Sequence, residues 1–406
     1  MNKMVLEGIT VVDFGNAWAG PLFARTLGDM GARVIKVESL KHMDVTRLLP
    51  PWVPGQEKTL NNSGYYNYMN RNKLAVQLDV STPRGLELGK KILAIADILV
   101  ENYAFGVMGR LGLGYEAVRE VNPRIIYVSM TSLGSAGPMK NYVMYGRPQV
   151  YLSGLAHTTG YPDQAPHPLN ISWGDPVASY HGLFATFSAL RYRQKTGKGQ
   201  FIELSQWEGL IGLQPETMMD YILNKRVRVR QANRDEFMAP HNAYRCGGGD
   251  LKWVTIAVAS DEEWASLCSA MGNPAWTKED KFADGYSRWK NQEEMDRHIE
   301  AWTQNYTQYE VSEMLQKVGV AAFPCLSNRG LVEDPHLNAR GFFEEWDHPE
   351  IGKRRYDGMT WKMSKTPGRI QKRAPLVGEH NNYVFGELLG LPQEEIDRLV
   401  EEKILF

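Results

Sequence analysis

Six short apolar runs recur along the first 205 residues: Ile9–Phe14, Arg33–Glu38, Ala75–Val80, Asp97–Glu101, Ile125–Met130 and Phe201–Leu204. Between them, Pro21–Met30, Pro83–Ala96, Tyr115–Val121 and Pro176–Arg193 carry apolar residues at the three-and-four spacing of a helix. Buried strands that alternate with helices pair in parallel, because each crossover needs a dozen or more residues. The chain therefore reads as α/β, with a doubly wound, mostly parallel, Rossmann-like sheet. The first βαβ unit raises the question of a dinucleotide, with Glu38 where a ribose-binding acid would stand. Gly15 and Gly20 are five apart, however, so the glycine fingerprint is not met, and a nicotinamide oxidoreductase is the second reading.

At 406 residues the chain exceeds one simple core, and the pattern divides it. Residues 1–205 form a large domain and 206–243 a helix and charged linker. Residues 244–330 form a small α+β domain around the hairpin YRCGGGDLKWVTIAV, and 331–406 return to the large domain, ending in a helix at 392–403. A net charge of −1 without a Lys/Arg block argues against nucleic acid. No apolar run reaches a membrane span, and the start MNKMVLEGI lacks a signal-peptide core, so a cytoplasmic protein is expected. Cys246, Cys268 and Cys325 are odd in number and far apart, which fits reduced thiols; no metal spacing is seen among them or the histidines.

The stretch Trp173-Gly174-Asp175-Pro176 opens the longest helix. Capping preferences put Asp175 at the N-cap and Pro176 at the first helical position. Tyr180, Leu183, Phe184, Phe187 and Leu190 form the face expected to be buried. Gly174 leaves room for a ligand, and the helix dipole favours an ionised carboxylate, hence a nucleophile. Cations recur near strand ends: Arg71 and Lys73 before the third strand, and Lys140 and Arg147 in the loop TSLGSAGPMKNYVMYGRP.

Taken together, LEGITVVDFGNAWAGP, GARVIKVES, NRNKLAVQLD, DILVENY, NPRIIYVSMTSLG, WGD, KTGKGQFIELSQ, NRDEFMAPHNAYRC, DPHLNARGFF and PLVGEH resemble the class III CoA-transferases, from about residue 5 to the C-terminus. The resemblance implies transfer of CoA from an acyl-CoA to a free carboxylic acid. It also implies an interlocked dimer of ring-shaped chains, identical or related, with the small domain inserted between two segments of the large one. It assigns the nucleophile to Asp175 and CoA contacts to Lys73, Asn102, Tyr103 and Arg110, to which the bound phosphates suggest adding Arg71, Lys140 and Arg147. CoA enters as substrate, with no metal. The Ala17-Trp18 step, Gly174 and Trp173 would shape the acyl site, with Trp18 and Trp173 favouring a bulky or aromatic acid such as benzylsuccinate, and succinyl-CoA as donor. The 2-methylacyl-CoA racemases resemble this family too, but their acid-base stretch falls on Tyr145-Gly146-Arg147-Pro148, which carries neither a His nor an Asp.

Overall fold

The structure, a computed structural model, describes residues 4–249 and 251–406. Two compact units are formed. The first contains the chain up to Ala156, His167–Val227 and Asn338–Phe406; the second contains His157–Pro166 and Arg228–Leu337.

The first unit is built on a six-stranded sheet: β1 (Thr10–Asp13), β2 (Arg33–Glu38), β3 (Lys73–Gln77), β4 (Ile98–Glu101), β5 (Ile126–Thr131) and β6 (Gln200–Ser205). All neighbours pair in parallel, in the order β3-β2-β1-β4-β5-β6. Successive side chains alternate between faces. Val12, Ile35, Leu99 and Tyr127 pack on one side against Leu88 and Ile92 of α3 (Pro83–Ala94) and Val118 of α4 (Tyr115–Val121). Val11, Val34, Ile98, Val100, Ile126 and Val128 pack on the other, against Phe23 and Leu27 of α1 (Ala19–Asp29) and Ala178, Leu183 and Ala189 of α6 (Gly174–Thr196). The short helix α2 (Gly64–Asn70) precedes β3, α5 (Gly146–Leu152) comes between β5 and α6, and α7 (Gln206–Ile211) and α8 (Pro215–Asn224) follow β6.

The C-terminal return closes the β3 edge, which would otherwise offer unpaired backbone groups. His380 N–H donates to Ala75 O at 3.0 Å, Gln77 N–H to Asn381 Oδ1 at 3.0 Å and Asp79 N–H to Ile404 O at 2.9 Å. Arg71, expected as a phosphate contact, serves this closure instead. Its guanidinium is buried between Asp29 and Asp357, at 2.8 Å from each, and ties α1 to the returning segment. Arg71→Met is accordingly expected to lower unfolding free energy by about 3–5 kcal/mol, because the buried Asp29 carboxylate loses its ion partner, while the half-buried Asp357 keeps Arg25. CoA affinity of the folded fraction should stay unchanged; denaturation and CoA titration check both halves.

The second unit holds an antiparallel sheet of β7 (His241–Arg245), β8 (Trp253–Ala257) and β9 (Ala321–Pro324). Val254 and Ile256 pack against Trp264 and Leu267 of α9 (Asp261–Ala270), Met295 and Ile299 of α10 (Gln292–Thr303), and Val311 and Leu315 of α11 (Gln308–Lys317). A capping box of Thr307 and Glu310 starts α11. The hairpin turn uses left-handed Gly248 and Gly249, with φ of +93° and +125°. In the C-terminal segment, β10 (Phe343–Trp346) and β11 (Arg354–Asp357) form a two-stranded ribbon. The last helix, α12 (Gln393–Glu401), buries Ile396 and Leu399 and leaves Val400 exposed; Pro392 is its N-cap and not its first residue, unlike the expectation.

Among the described residues no helix is long and apolar enough to cross a membrane. The three cysteines are free, and among the described residues no group of three or more His, Cys, Asp or Glu is gathered as for a metal ion.

Candidate active site

The strand order turns back between β1 and β4, so the chains leaving their carboxyl ends diverge and open a crevice, the usual ligand position in such sheets. The turn after β1 is fastened on every side. Gly15 N–H donates to Asp13 Oδ1 at 2.7 Å and Asn16 N–H to Asn102 Oδ1 at 2.7 Å. Asn102 Nδ2 returns a bond to Asn16 O at 2.9 Å, and Ala17 N–H donates to Asp44 Oδ1 at 3.2 Å. Ala17 is left-handed, with φ of +63°. Asn102 is therefore a clamp on this turn. Beside it, Tyr103 lines a cleft of about 290 Å³ together with Phe14, Glu38, His42, Val107 and Leu111.

Asp175 lies at the start of α6, but not as its cap. The helix begins one residue earlier, at Gly174, because Trp173 already has helical backbone angles and serves as N-cap. The carboxylate sits in the first turn and accepts a hydrogen bond from the backbone N–H of Ala19, the first residue of α1. Ser179 Oγ, one turn on, donates to Ala19 O at 2.8 Å and also lies 2.9 Å from Asp175 O, lashing the two helix starts together. The expectation that helix N–H groups dominate the ionisation is corrected here. Burial pushes the carboxyl up to about 6, against the pull of the Ala19 and Asp175 N–H groups.

Two absent side chains allow the close packing around this carboxylate. A Cβ on Gly146 would come within 2.3 Å of Asp175 Oδ2, and one on Gly174 within 1.8 Å of Gln149 Oε1. Gln149 cannot turn aside, since a chain of amides fixes it. The Met130 carbonyl accepts from Gln206 Nε2 at 2.9 Å, and Gln206 Oε1 accepts from Gln149 Nε2 at 3.0 Å. The remaining Gln149 oxygen must then face Gly174.

Tyr65 completes the surroundings and was not singled out from the sequence. Its ring meets Trp18 edge-on at 6.3 Å. Burial, with the charges of Asp175 and Asp44, pushes its phenol up to about 12, so it remains a donor at neutral pH. The only signal for it was the aromatic run YYNYMN behind the Ser63 cap.

The structure thus brings together Ala17, Trp18, Gly174 and Asp175, with Asn102 bonded to the turn and Tyr103 lining the cleft beside it. Trp173, 38% exposed, borders the helix start. Lys73 does not belong to this group as a phosphate ligand. Its ammonium is fully enclosed, donating to Asp13 Oδ2 at 2.7 Å, Asn70 Oδ1 at 2.8 Å and Pro21 O at 2.9 Å. Arg110, Lys140 and Arg147 are exposed. Arg110 is on the short helix Val107–Arg110, whose Val107 lines the cleft, and Lys140 Nζ lies 5.1 Å from the ring of Phe105 just before it.

The expected buried face of α6 is also corrected. Tyr180, Phe184 and Phe187 are exposed, by 48%, 78% and 41%, whereas Ala178, Ser179, Gly182, Thr186 and Ala189 make the contact with the sheet alongside Leu183 and Leu190.

Comparison with known proteins gives the family of the chain. The family model for CoA-transferase family III matches residues 6–381. The chain is 30% identical over 400 residues to a succinyl-CoA–D-citramalate CoA-transferase of Chloroflexus aurantiacus, covering 98% of each chain. It is 30% identical over 404 residues to a succinyl-CoA–L-malate CoA-transferase beta subunit of the same organism, again covering 98% of each. A crystal structure of a CAIB/BAIF family protein from Brucella suis superimposes with a TM-score of 0.86 at 28% identity, over 96% of this chain and 100% of that one. With the parallel sheet, the crevice at its strand-order reversal and a match across nearly the whole length, the chain belongs to CoA-transferase family III.

Proposed function

We propose that Asp175 is the nucleophile that carries CoA from succinyl-CoA to a second carboxylic acid. The observation behind this reading is a half-buried carboxylate in the first turn of α6 that is held by backbone N–H groups, Ala19 N–H among them, with the backbone of Gly146 packed closely against it. A carboxylate oxygen of Asp175 attacks the thioester carbonyl, the C–S bond breaks, and CoA leaves as thiolate, giving a mixed anhydride. The thiolate then attacks the aspartyl carbonyl, the donor acid departs as carboxylate, and an aspartyl-CoA thioester remains. The acceptor carboxylate repeats both steps in reverse, so no proton is consumed overall. Backbone N–H groups at the meeting of α1 and α6 would stabilise the oxyanions, and the Trp18–Tyr65 wall would limit water.

Succinyl-CoA as donor is supported by the names of both relatives. Trp18, Tyr65 and Trp173 favour a bulky or aromatic acceptor, of which benzylsuccinate is one instance. Tyr103, with the exposed Arg110, Lys140 and Arg147, would meet the nucleotide end of CoA, while Asn102 holds the turn beneath. The exposed aromatic stripe of α6, with Tyr221, Ile222 and Leu223 of α8, supports an interlocked dimer. The beta-subunit relative makes a related second chain as admissible a partner as an identical one.

Incubation with succinyl-CoA, reduction by borohydride and peptide mass spectrometry test the reading. The expected result is Asp175 reduced to the side-chain alcohol, only when donor is present. Bound CoA with an unmodified Asp175 at every donor concentration would remove the carboxylate from the reaction.

A further inference from the structure

We infer that the buried pair Lys36–Asp44 positions the turn that presents Ala19 N–H to Asp175, which makes Asp44 a positioning residue of the transfer reaction. The inference rests on the reading of Asp175 as nucleophile.

Both members of the pair are fully enclosed, with Lys36 Nζ 2.9 Å from Asp44 Oδ2. Each also holds one end of the turn after β1. Lys36 Nζ donates to Gly15 O at 2.7 Å, and Asp44 Oδ1 accepts from Ala17 N–H at 3.2 Å. Asp44 is in turn fixed by Thr46, whose N–H and Oγ1 donate to the same oxygen at 3.0 and 2.7 Å. Between the two anchors Ala17 keeps a left-handed backbone, which a residue with a Cβ holds only when its surroundings demand it. Two residues further on comes Ala19, whose N–H meets the Asp175 carboxylate, and Trp18 between them rests on Tyr65. A release at Asp44 would let Ala17 relax to negative φ and swing that N–H away. The nucleophile would then lose its charge-stabilising donor while the cleft beside Tyr103 kept its walls.

The charged groups facing this pair are balanced. Asp13 and Lys73 pair beside Lys36, and Glu38, which accepts from Asp44 N–H at 3.0 Å, pairs with Arg47; Tyr65, Tyr66 and Tyr103 feel the Asp44 charge. Asp175 faces Tyr65 and the backbone of α1. Loss of the Asp44 charge through the field alone would pull the Asp175 carboxyl down, whereas loss of the Ala19 hydrogen bond raises it. The two routes therefore have opposite signs.

The experiment compares wild type with Asp44→Asn in kcat, KM for succinyl-CoA, the pH midpoint of kcat and the rate of borohydride-trapped adduct. Expected for Asp44→Asn are a kcat lowered roughly 10- to 100-fold, KM within about threefold, and a midpoint moved upward. Folded Asp44→Asn with wild-type kcat, or with a midpoint unmoved or moved downward, overturns the inference. Where Asp44→Asn does not fold, Ala17→Val strains the same half-buried turn. It should reproduce the kcat loss and the upward midpoint, and wild-type values in that variant overturn the inference equally. A wild-type adduct that forms at the same rate in Asp44→Asn counts against the inference alone. Absence of any wild-type adduct overturns the nucleophile reading and the inference with it.

Discussion

Asp175→Asn should abolish CoA transfer, by at least about 10⁴-fold, since the amide neither attacks a thioester nor leaves an anhydride. The same substitution should stabilise the fold at neutral pH. Burial raises the folded carboxyl from 3.8 to about 6, so between these values the native chain binds more protons than the unfolded one. Stability from this group is therefore highest below about 4, declines as pH rises to about 6, and stays at its lower level above. The cost at pH 7.5 is of order 1–3 kcal/mol, which the neutral amide removes. Thermal melts should show a gain of a few degrees at pH 7.5 that shrinks towards pH 4. In wild type the ionised form is the reactive one, so kcat/KM should fall about tenfold per pH unit below about 6 and level off above it. Turnover by Asp175→Asn within tenfold of wild type, or a rate flat down to pH 4.5, would sink the assignment.

Gly174→Ala carries the second large effect, although it adds one methyl group. The new Cβ would stand 1.8 Å from Gln149 Oε1 and 3.0 Å from its Cδ. Gln149 is anchored through Gln206 to the backbone of β5, so either that amide chain breaks inside the core or the first turn of α6 shifts. The first outcome leaves buried amide groups without partners and costs about 2–3 kcal/mol. The second displaces the carboxylate from Ala19 N–H, and a shift near 1 Å at a reacting group lowers rate on the order of 100-fold. Denaturant unfolding and single-turnover rates separate the two. Adding Gln149→Ala vacates the contested space, so a double-mutant cycle should return most of the lost stability. A Gly174→Ala enzyme with wild-type stability and rate would mean that the contact is not as tight as described.

The sheet was legible because parallel strands covered on both faces are continuous apolar runs, and β1 to β5 each contain one. Asp175 was legible as a residue but not as an environment. Cap statistics concern the residue's own helix, whereas its hydrogen-bond donor, Ala19, lies far back in the chain on α1. The same distance in sequence hid the fates of Arg71 and Lys73. A basic residue near a strand end looks like a phosphate ligand until its partners are known, and those partners, Asp29, Asp357 and Asp13, come from elsewhere in the chain. On α6 the visible signal misled. Bulky Tyr180, Phe184 and Phe187 stand out in the string, yet close approach of a helix to α1 and the sheet requires the small residues that a search for apolar bulk passes over. Tyr65 had no pattern of its own, since an aromatic on a short helix is most often core.

The close packing about Asp175 has an evolutionary corollary. Neither Gly146 nor Gly174 can take a Cβ without displacing Asp175 or Gln149, so drift at those positions leads only towards inactivity. New acceptor acids are reachable instead through the aromatics Trp18, Tyr65 and Trp173, which hold volume that can be given up one residue at a time. Natural variation in substrate range, and any library built to widen it, should therefore concentrate in those three aromatic positions while the two glycines stay fixed.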